Sequence, residues 1–565
     1  MNALGGSIRS RLASATHIAS LASSSLFSIL TTVLALLIIG SVFLGGLQRG
    51  MDQALSYGPQ SEENALAIAI SEMVYGLDSY VAHFSVLEAL EKSIHRGADS
   101  ANDPKILQNL YNGDLINEGI ASAASLGPRT KGFIADGGLK TMVYDDVGIV
   151  DFIKIAFAAF GFKVQSLYYL FFATLLLSTT AFILQYWKNA LAQILALCNL
   201  FAFYMELQSP IFTRDMPTFW GMRHGSTLAI LPMWHLALLL MYRTRLSLAA
   251  VVLAAIQVAI LVLAIKVRGS ALWTVIFMGG LTALLLYQDW AQLKISERSA
   301  AKLTRLAARW PMALVLAGLF LNGLYTNSKL HPAYFTDDIL PHHGAWHSAV
   351  LGLNTSPAFW PVTGLKAEPG TNRVSPYRDR VGYDAALAYL RDRGFIKSEA
   401  EYLSPWTGTY KMGLHDKIMR RLFFSAVERH PMATVALYLY WKPRQILVAF
   451  GRLLAGVKVQ AWLLALLGAS IMAVAFATSQ FRALAELRTI LLLAMAAILF
   501  SALPNLWAYA AYHAVADSLL SIFILGVFGI WAAEVVLIER WRSPTVDEAQ
   551  SDSNGRSNRV TRRGS

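Results

Sequence analysis

The chain has 565 residues, of which 55% are hydrophobic and 15% charged, with a formal net charge of +12 and a mean hydropathy of +0.45. Soluble domains carry roughly a quarter of their residues as Asp, Glu, Lys and Arg, so this composition excludes a fold that faces only water. The cations lie in short segments beside apolar runs and not in one basic domain, which excludes a nucleic-acid partner and points to membrane lipid.

Residues 1–24, with Arg9 and Arg11, read as a cytoplasmic N-terminus. The apolar run at 25–46 is about 20 residues long, enough to cross the hydrocarbon core. No small-x-small cleavage site follows it, so it reads as an uncleaved anchor. Residues 47–163 form a first lobe with nine Lys and Arg against fifteen Asp and Glu. Further apolar runs lie at 164–187, 189–207, 227–242, 246–266, 271–288 and 311–327, which make a bundle over 164–327. The lone cysteine, Cys198, sits in one of them and excludes an intramolecular disulfide and a Cys-based metal site. A second lobe at 328–456, rich in aromatic residues, His and Arg, precedes runs at 457–479, 488–508 and 515–538 within 457–540. The tail 541–565 has almost no large apolar residues and reads as disordered and cytoplasmic.

The expected fold is an all-α polytopic membrane protein with about ten transmembrane helices and two extracytoplasmic lobes. Threading from a cytosolic N-terminus puts "YRTR" (242–245) inside, together with Lys294, Arg298, Lys302, Arg305 and Arg309. Lys266 and Arg268 fall outside and break the positive-inside rule. Neither lobe alternates apolar and polar residues for long, so helices and loops with few strands are expected.

Asp145 and Asp146 stand just ahead of an amphipathic stripe at Ile149, Phe152, Ile153, Ala156, Phe157 and Phe160. The spacing predicts a helix lying in the headgroup plane, with Asp151 and Lys154 paired three residues apart. On capping grounds the two acids are an N-cap and a solvated carboxylate; the alternative is a catalytic or metal-binding pair at the membrane surface. The stretch "DDVGIVDFIKIAFAAFGFKVQSLYYLFFATLLLSTTAFIL", with its Phe160-Gly161 break and its Ser178, Thr179 and Thr180, resembles the entry to the second span of GT-C superfamily glycosyltransferases. "RRLFFSAVERHPMATVALYLYWKPRQILVAFGRLL" is similar to the segment before a late span in bacterial, protein mannosyltransferase-like members. Where that family carries an acidic pair soon after the first span, this chain has Asp52 alone, with Glu62 and Glu63 later.

The resemblance implies sugar transfer from a polyprenyl-phosphate carrier to an envelope glycan, lipid or protein acceptor, in the cell membrane. Such a transfer needs one carboxylate to take the acceptor proton and cations or a metal on the departing phosphate. Asp145, Asp146 and Asp52 are the candidate catalytic acids. Lys442, Arg444, Arg452 and Lys458, on the outer side of the span near Val457, are the candidate phosphate clamp, with snorkelling to lipid headgroups as the alternative. Arg420 and Arg421 are weaker cations. In "TDDILPHHGAWHSAVLGL", Trp346 and His347 are candidates for sugar binding, and Asp337, Asp338, His343 and His347 for a divalent cation. His235 and the pair His513 and Asp517 are the ionisable groups inside spans, read as functional or as interhelix hydrogen bonds. The rival readings are an O-antigen-type polymerase or ligase, a transporter and a scaffold. The sequence leaves the sugar, the acceptor and the oligomeric state open.

Overall fold

The computed structural model describes residues 63–76, 79–95, 114–125, 139–140, 146–187, 225–291, 306–336, 339–340, 344–365, 379–404, 410–456 and 485–508, with a few isolated positions elsewhere. These residues are almost entirely helical. The first group comprises α1 (Glu63–Tyr75), α2 (Phe84–His95), α3 (Asp114–Ser125) and α4 (Gly148–Phe160). Among the described residues its strands are two residues each, Ala82 facing Lys140 and His83 facing Leu139 in antiparallel register. The bundle follows with α5 (Gln165–Gln185), α6 (Ile230–Met241), α7 (Leu248–Val267), α8 (Trp273–Ala291) and α9 (Trp310–Lys329). Then come α10 (Ala345–Leu353), α11 (Asp379–Asp392), α12 (Met412–Arg429), α13 (Pro431–Ala436), a π-helical turn at Leu437–Trp441 and α14 (Lys442–Gly456). α15 (Ala485–Ser501) and α16 (Leu503–Trp507) close the described chain.

Four helices among the described residues are long and apolar enough to cross a bilayer: Gln165–Gln185, Leu248–Val267, Gly269–Ala291 and Thr489–Trp507. Serine 247 starts the second, its hydroxyl accepting the Ala250 amide at 3.3 Å, and no proline or glycine interrupts the following 20 residues. α6 is apolar but shorter, and α9 matches the spans in length while ending in Asn327, Ser328 and Lys329. The runs expected at 25–46, 457–479 and 515–538 lie largely outside the described residues.

α7 is the hub, packed against α4, α5, α6 and α9, and α8 packs on α6, α9 and α15. Helix α1 sits in the centre of the first group, with Ala65 to Ile70 all buried. The helix read from the 149–160 stripe is α4, which ends at Gly161 with φ +89°, a conformation that favours glycine. Its stripe is covered by protein and not by lipid: Ile149, Phe152, Ile153, Ala156 and Phe157 are buried, and α4 packs on α1, α5 and α7. A headgroup-plane helix needs a free apolar face; here the face that remains open is Ile155 and Phe160.

A second core joins α10, α11 and α12 around Phe359, Leu387, Tyr402 and Phe423. It meets α16 through Trp346, whose ring lies 5.0 Å from Trp507, and through Gly352. A Cβ on Gly352 would fall 1.9 Å from the Ala508 carbonyl oxygen, so only glycine permits this approach.

Candidate functional site

Helix α4 begins against the last turn of α7. A Cβ at Gly148 would lie 2.1 Å from the Lys266 carbonyl oxygen, so the missing side chain is what lets the two backbones touch. This contact brings the acids of α4 to the cations at the end of α7. Asp151 forms an ion pair with Lys266, and Asp146 faces Arg268 at 3.8 Å. Lys154 turns the other way, to Glu72 of α1. Its predicted pairing with Asp151 is present at 4.0 Å, the loosest of the set.

Tyrosine 80 ties these pairs together. Its hydroxyl donates to Asp151 at 2.8 Å, its amide donates to Glu72, and Lys266 donates to its hydroxyl at 3.2 Å. Its carbonyl accepts the Tyr334 hydroxyl at 2.8 Å, which fastens the segment after α9 to the first group. Burial, followed by the Asp151 charge, holds the Tyr80 phenol well above its ordinary pKa. Three carboxylates (Glu72, Asp146, Asp151) thus meet three cations (Lys154, Lys266, Arg268) at one end of the spans, with Glu72 and Asp146 buried. Charges so desolvated persist only when paired.

Asp146 is not the cap of α4. The N-cap is Val147, with no side-chain cap bond, while the Asp146 backbone carbonyl accepts the Ile149 amide at 3.1 Å. The capping expectation for Asp146 is therefore corrected: its carboxylate goes to Arg268. Asp145 and Asp52 lie outside the described residues, as do Lys458, Asp337, Asp338, His342, His343, His513 and Asp517. Of Arg452 only its place on α14 is described.

The Lys442 ammonium points inward. It donates to the carbonyl oxygens of Leu506, Trp507 and Ala508, closing the C-terminal end of α16 as a helix cap. Its three N–H bonds match three acceptors, and burial pushes its pKa down to about 7. Arg444 is exposed and lies over the Tyr440 and Trp441 rings, at 5.9 and 6.0 Å. The cation brought to Asp146 is Arg268. Trp346 packs among Phe423, Phe424 and Trp507, with the Arg420 guanidinium 5.8 Å above it.

His347 lies in a hydrogen-bonded chain that its sequence neighbours do not announce. His347 Nε2 faces Asp379 at 3.3 Å, its Nδ1 faces His415 Nε2 at 2.8 Å, and His415 Nδ1 faces the Tyr402 hydroxyl at 2.6 Å. The Asp379 carboxylate only accepts, which sets the neutral tautomers. His347 Nε2–H donates to Asp379, His415 Nε2–H donates to His347 Nδ1, and the Tyr402 hydroxyl donates to His415. Both His347 nitrogens are thus engaged. Among the described residues no three His, Cys, Asp or Glu side chains gather as a metal-binding set.

Two polar groupings tie the bundle itself. Gln257 of α7 donates to the Ser178 carbonyl at 2.7 Å and lies 3.2 Å from His235 Nδ1, and it accepts the Ser178 hydroxyl at 2.7 Å. His235 is therefore part of an interhelix network, as one of its two readings had it. At the opposite end of the spans from Asp146, Asp289 of α8 holds both Arg309 and Arg243, and Arg309 also donates to the Leu240 carbonyl at 3.0 Å. Charge spacing along the chain does not reveal this knot, because its members come from three separate helix ends. Compared with known protein families, characterised proteins and solved structures, the chain matches none.

Proposed function

We propose that the chain is a multi-pass membrane glycosyltransferase, taking a sugar from a polyprenyl-phosphate carrier and working at the surface where α4 meets α7. The observation that carries this reading is the Asp146–Arg268 pair. It joins an acid and a cation at 3.8 Å, beyond hydrogen-bond length, at the end of a helix long and apolar enough to cross a bilayer. A lipid-linked phosphosugar must present its reacting carbon at that depth, because its tail remains in the bilayer. Arg268 would oppose the charge that develops on the phosphate, and Asp146 would receive the acceptor proton.

A packing chain supports placing the second lobe toward the same end. Phe277, near the start of α8, packs on Phe500, near the end of α15, and α16 leads directly from there to the α10 lobe. Two lobes over one membrane face would enclose an acceptor glycan.

The test is transfer by membrane vesicles given a polyprenyl-monophosphate sugar. Asp146→Asn and Arg268→Gln are each expected to reduce transfer by about 100-fold or more, the range for losing a general base or a charge stabiliser. Full transfer by both variants sinks the assignment. Activity only with a diphosphate-linked oligosaccharide would turn it into a polymerase or ligase. The transporter reading draws on the polar trio Ser178, Gln257 and His235 inside the bundle, and uptake without sugar transfer would favour it.

A further inference from the structure

Helices α13 and α14, joined by the π-helical turn, form one continuous helix over 431–456. Its inner face is the buried Leu437, Ile446 and Ala449, together with Lys442 on its three carbonyls. Its outer face is apolar as well. Met432 and Leu439 are each 77% exposed and Leu447 is 67% exposed, with Val435, Tyr440 and Val448 beside them.

The π-turn explains how this face stays in line. In an uninterrupted α-helix a residue recurs on one face every seven positions, so Met432 and Leu439 would be followed by position 446. A π-turn takes up one extra residue. The stripe therefore passes to Leu447, while Ile446 turns inward and is only 7% exposed. The same shift directs Lys442 into the protein, so one irregularity serves both the α16 cap and the outer apolar stripe.

We propose that this outer face is a membrane-docking surface by which the second lobe lies on the bilayer, with Met432, Leu439 and Leu447 entering the acyl boundary. The commitment to lipid rests on three observations. The stripe is carried by a helix whose described end, at Gly456, is followed by the apolar sequence 457–479. The lobe is fixed by Lys442 and Trp346 to the last residues of a helix, Thr489–Trp507, that is long and apolar enough to cross a bilayer. Arg444 with Tyr440 and Trp441 supplies the cation and aromatic rings that settle at headgroup level. The surface does not depend on the glycosyltransferase reading, and its test does not measure transfer.

Spin labels on Leu439→Cys, Leu447→Cys and, as a water-facing reference, Arg393→Cys are introduced into the full chain carrying Cys198→Ser. The protein is reconstituted in phosphatidylcholine vesicles. Labels at 439 and 447 are expected to collide several-fold less with a water-soluble nickel chelate than the label at 393, and more with oxygen. Nickel access equal to that at 393 overturns the proposal. So does shielding from both reagents, which would mean that a second copy or another protein covers the face. Should a variant at 439 or 447 fail to reconstitute, Val435→Cys on the same face gives the same two-sided readout.

Discussion

The His347–His415 contact should make the second core sensitive to acid. Only one hydrogen fits between the facing nitrogens 2.8 Å apart. A further proton on His415 must displace the Tyr402 hydroxyl hydrogen from Nδ1. The groups facing the pair are Asp379 and Tyr383 from α11 and Tyr402 from the connecting segment, with Tyr410 stacked behind on Tyr383 and Asp416 next in sequence on α12. Both His415 ring nitrogens are taken by His347 and Tyr402 and not by a carboxylate. Burial, and then the neighbouring His347, lowers the His415 pKa to about 3 from an ordinary 6.5. The folded lobe therefore keeps His415 neutral while the unfolded chain takes up a proton below 6.5. The associated stability is complete above that pH and is lost as pH falls toward about 3. With a proton worth about 1.4 kcal/mol per pH unit, the loss between pH 7.5 and 5.0 is about 2 kcal/mol. Hydrogen exchange of the full chain in detergent, corrected for the intrinsic rate at each pH, should show α10 and α12 opening about 30-fold more readily at pH 5.0. His415→Gln should flatten that dependence. Equal protection at the two pH values, or an unchanged dependence in the variant, refutes the reasoning.

Three further outcomes follow from close contacts. Gly148→Ala places a methyl group 2.1 Å from the Lys266 carbonyl and should cost about 1–3 kcal/mol, read as a lower Tm in detergent. An unchanged Tm would mean that α4 does not sit on α7. Asp289→Asn leaves the buried Arg309 without its carboxylate, and about 3–5 kcal/mol of destabilisation is expected from the shift in denaturation midpoint. Lys442→Met removes the donor to three carbonyls and should expose the chain after Trp507 to limited proteolysis, at a cost of about 1–3 kcal/mol. Resistance equal to that of the unsubstituted protein would count against the cap.

The parts legible in the sequence were those written in short-range periodicity. The 149–160 stripe became a helix ending at the expected Phe160-Gly161 break, and the runs near 164–187, 246–266, 271–288 and 488–508 correspond to the four long apolar helices. What lay beyond the sequence was the partner of each face. A stripe of Ile149, Phe152 and Phe157 has the same spacing whether lipid or α1 covers it. His347 was singled out beside His343, four residues away, yet its partner is His415, 68 positions on, and no spacing rule reaches that far. Lys442 was likewise counted among the cations of a phosphate clamp because it precedes the span near Val457 on the side read as outer. The π-turn that rotates it inward has no signature in "LYLYW".

Two cations show why. Lys266 and Arg268 broke the positive-inside rule when each loop was counted alone. That rule treats loop cations as charges facing the translocation step, and it has no term for an acid arriving from elsewhere in the chain. Here Asp151 neutralises Lys266 from 115 residues away, and Asp146 opposes Arg268. At the other end, Arg309 and Arg243, which threading from a cytosolic N-terminus puts inside, share Asp289. Each end of the bundle is therefore held by a buried or half-buried knot of opposite charges. The mean charge of a loop says less about topology than whether its charges find partners. Under threading from a cytosolic N-terminus the prediction is asymmetric: removing Asp151 should leave Lys266 as an outer-side cation without its carboxylate, whereas removing Asp289 leaves its arginines on the side the rule prefers.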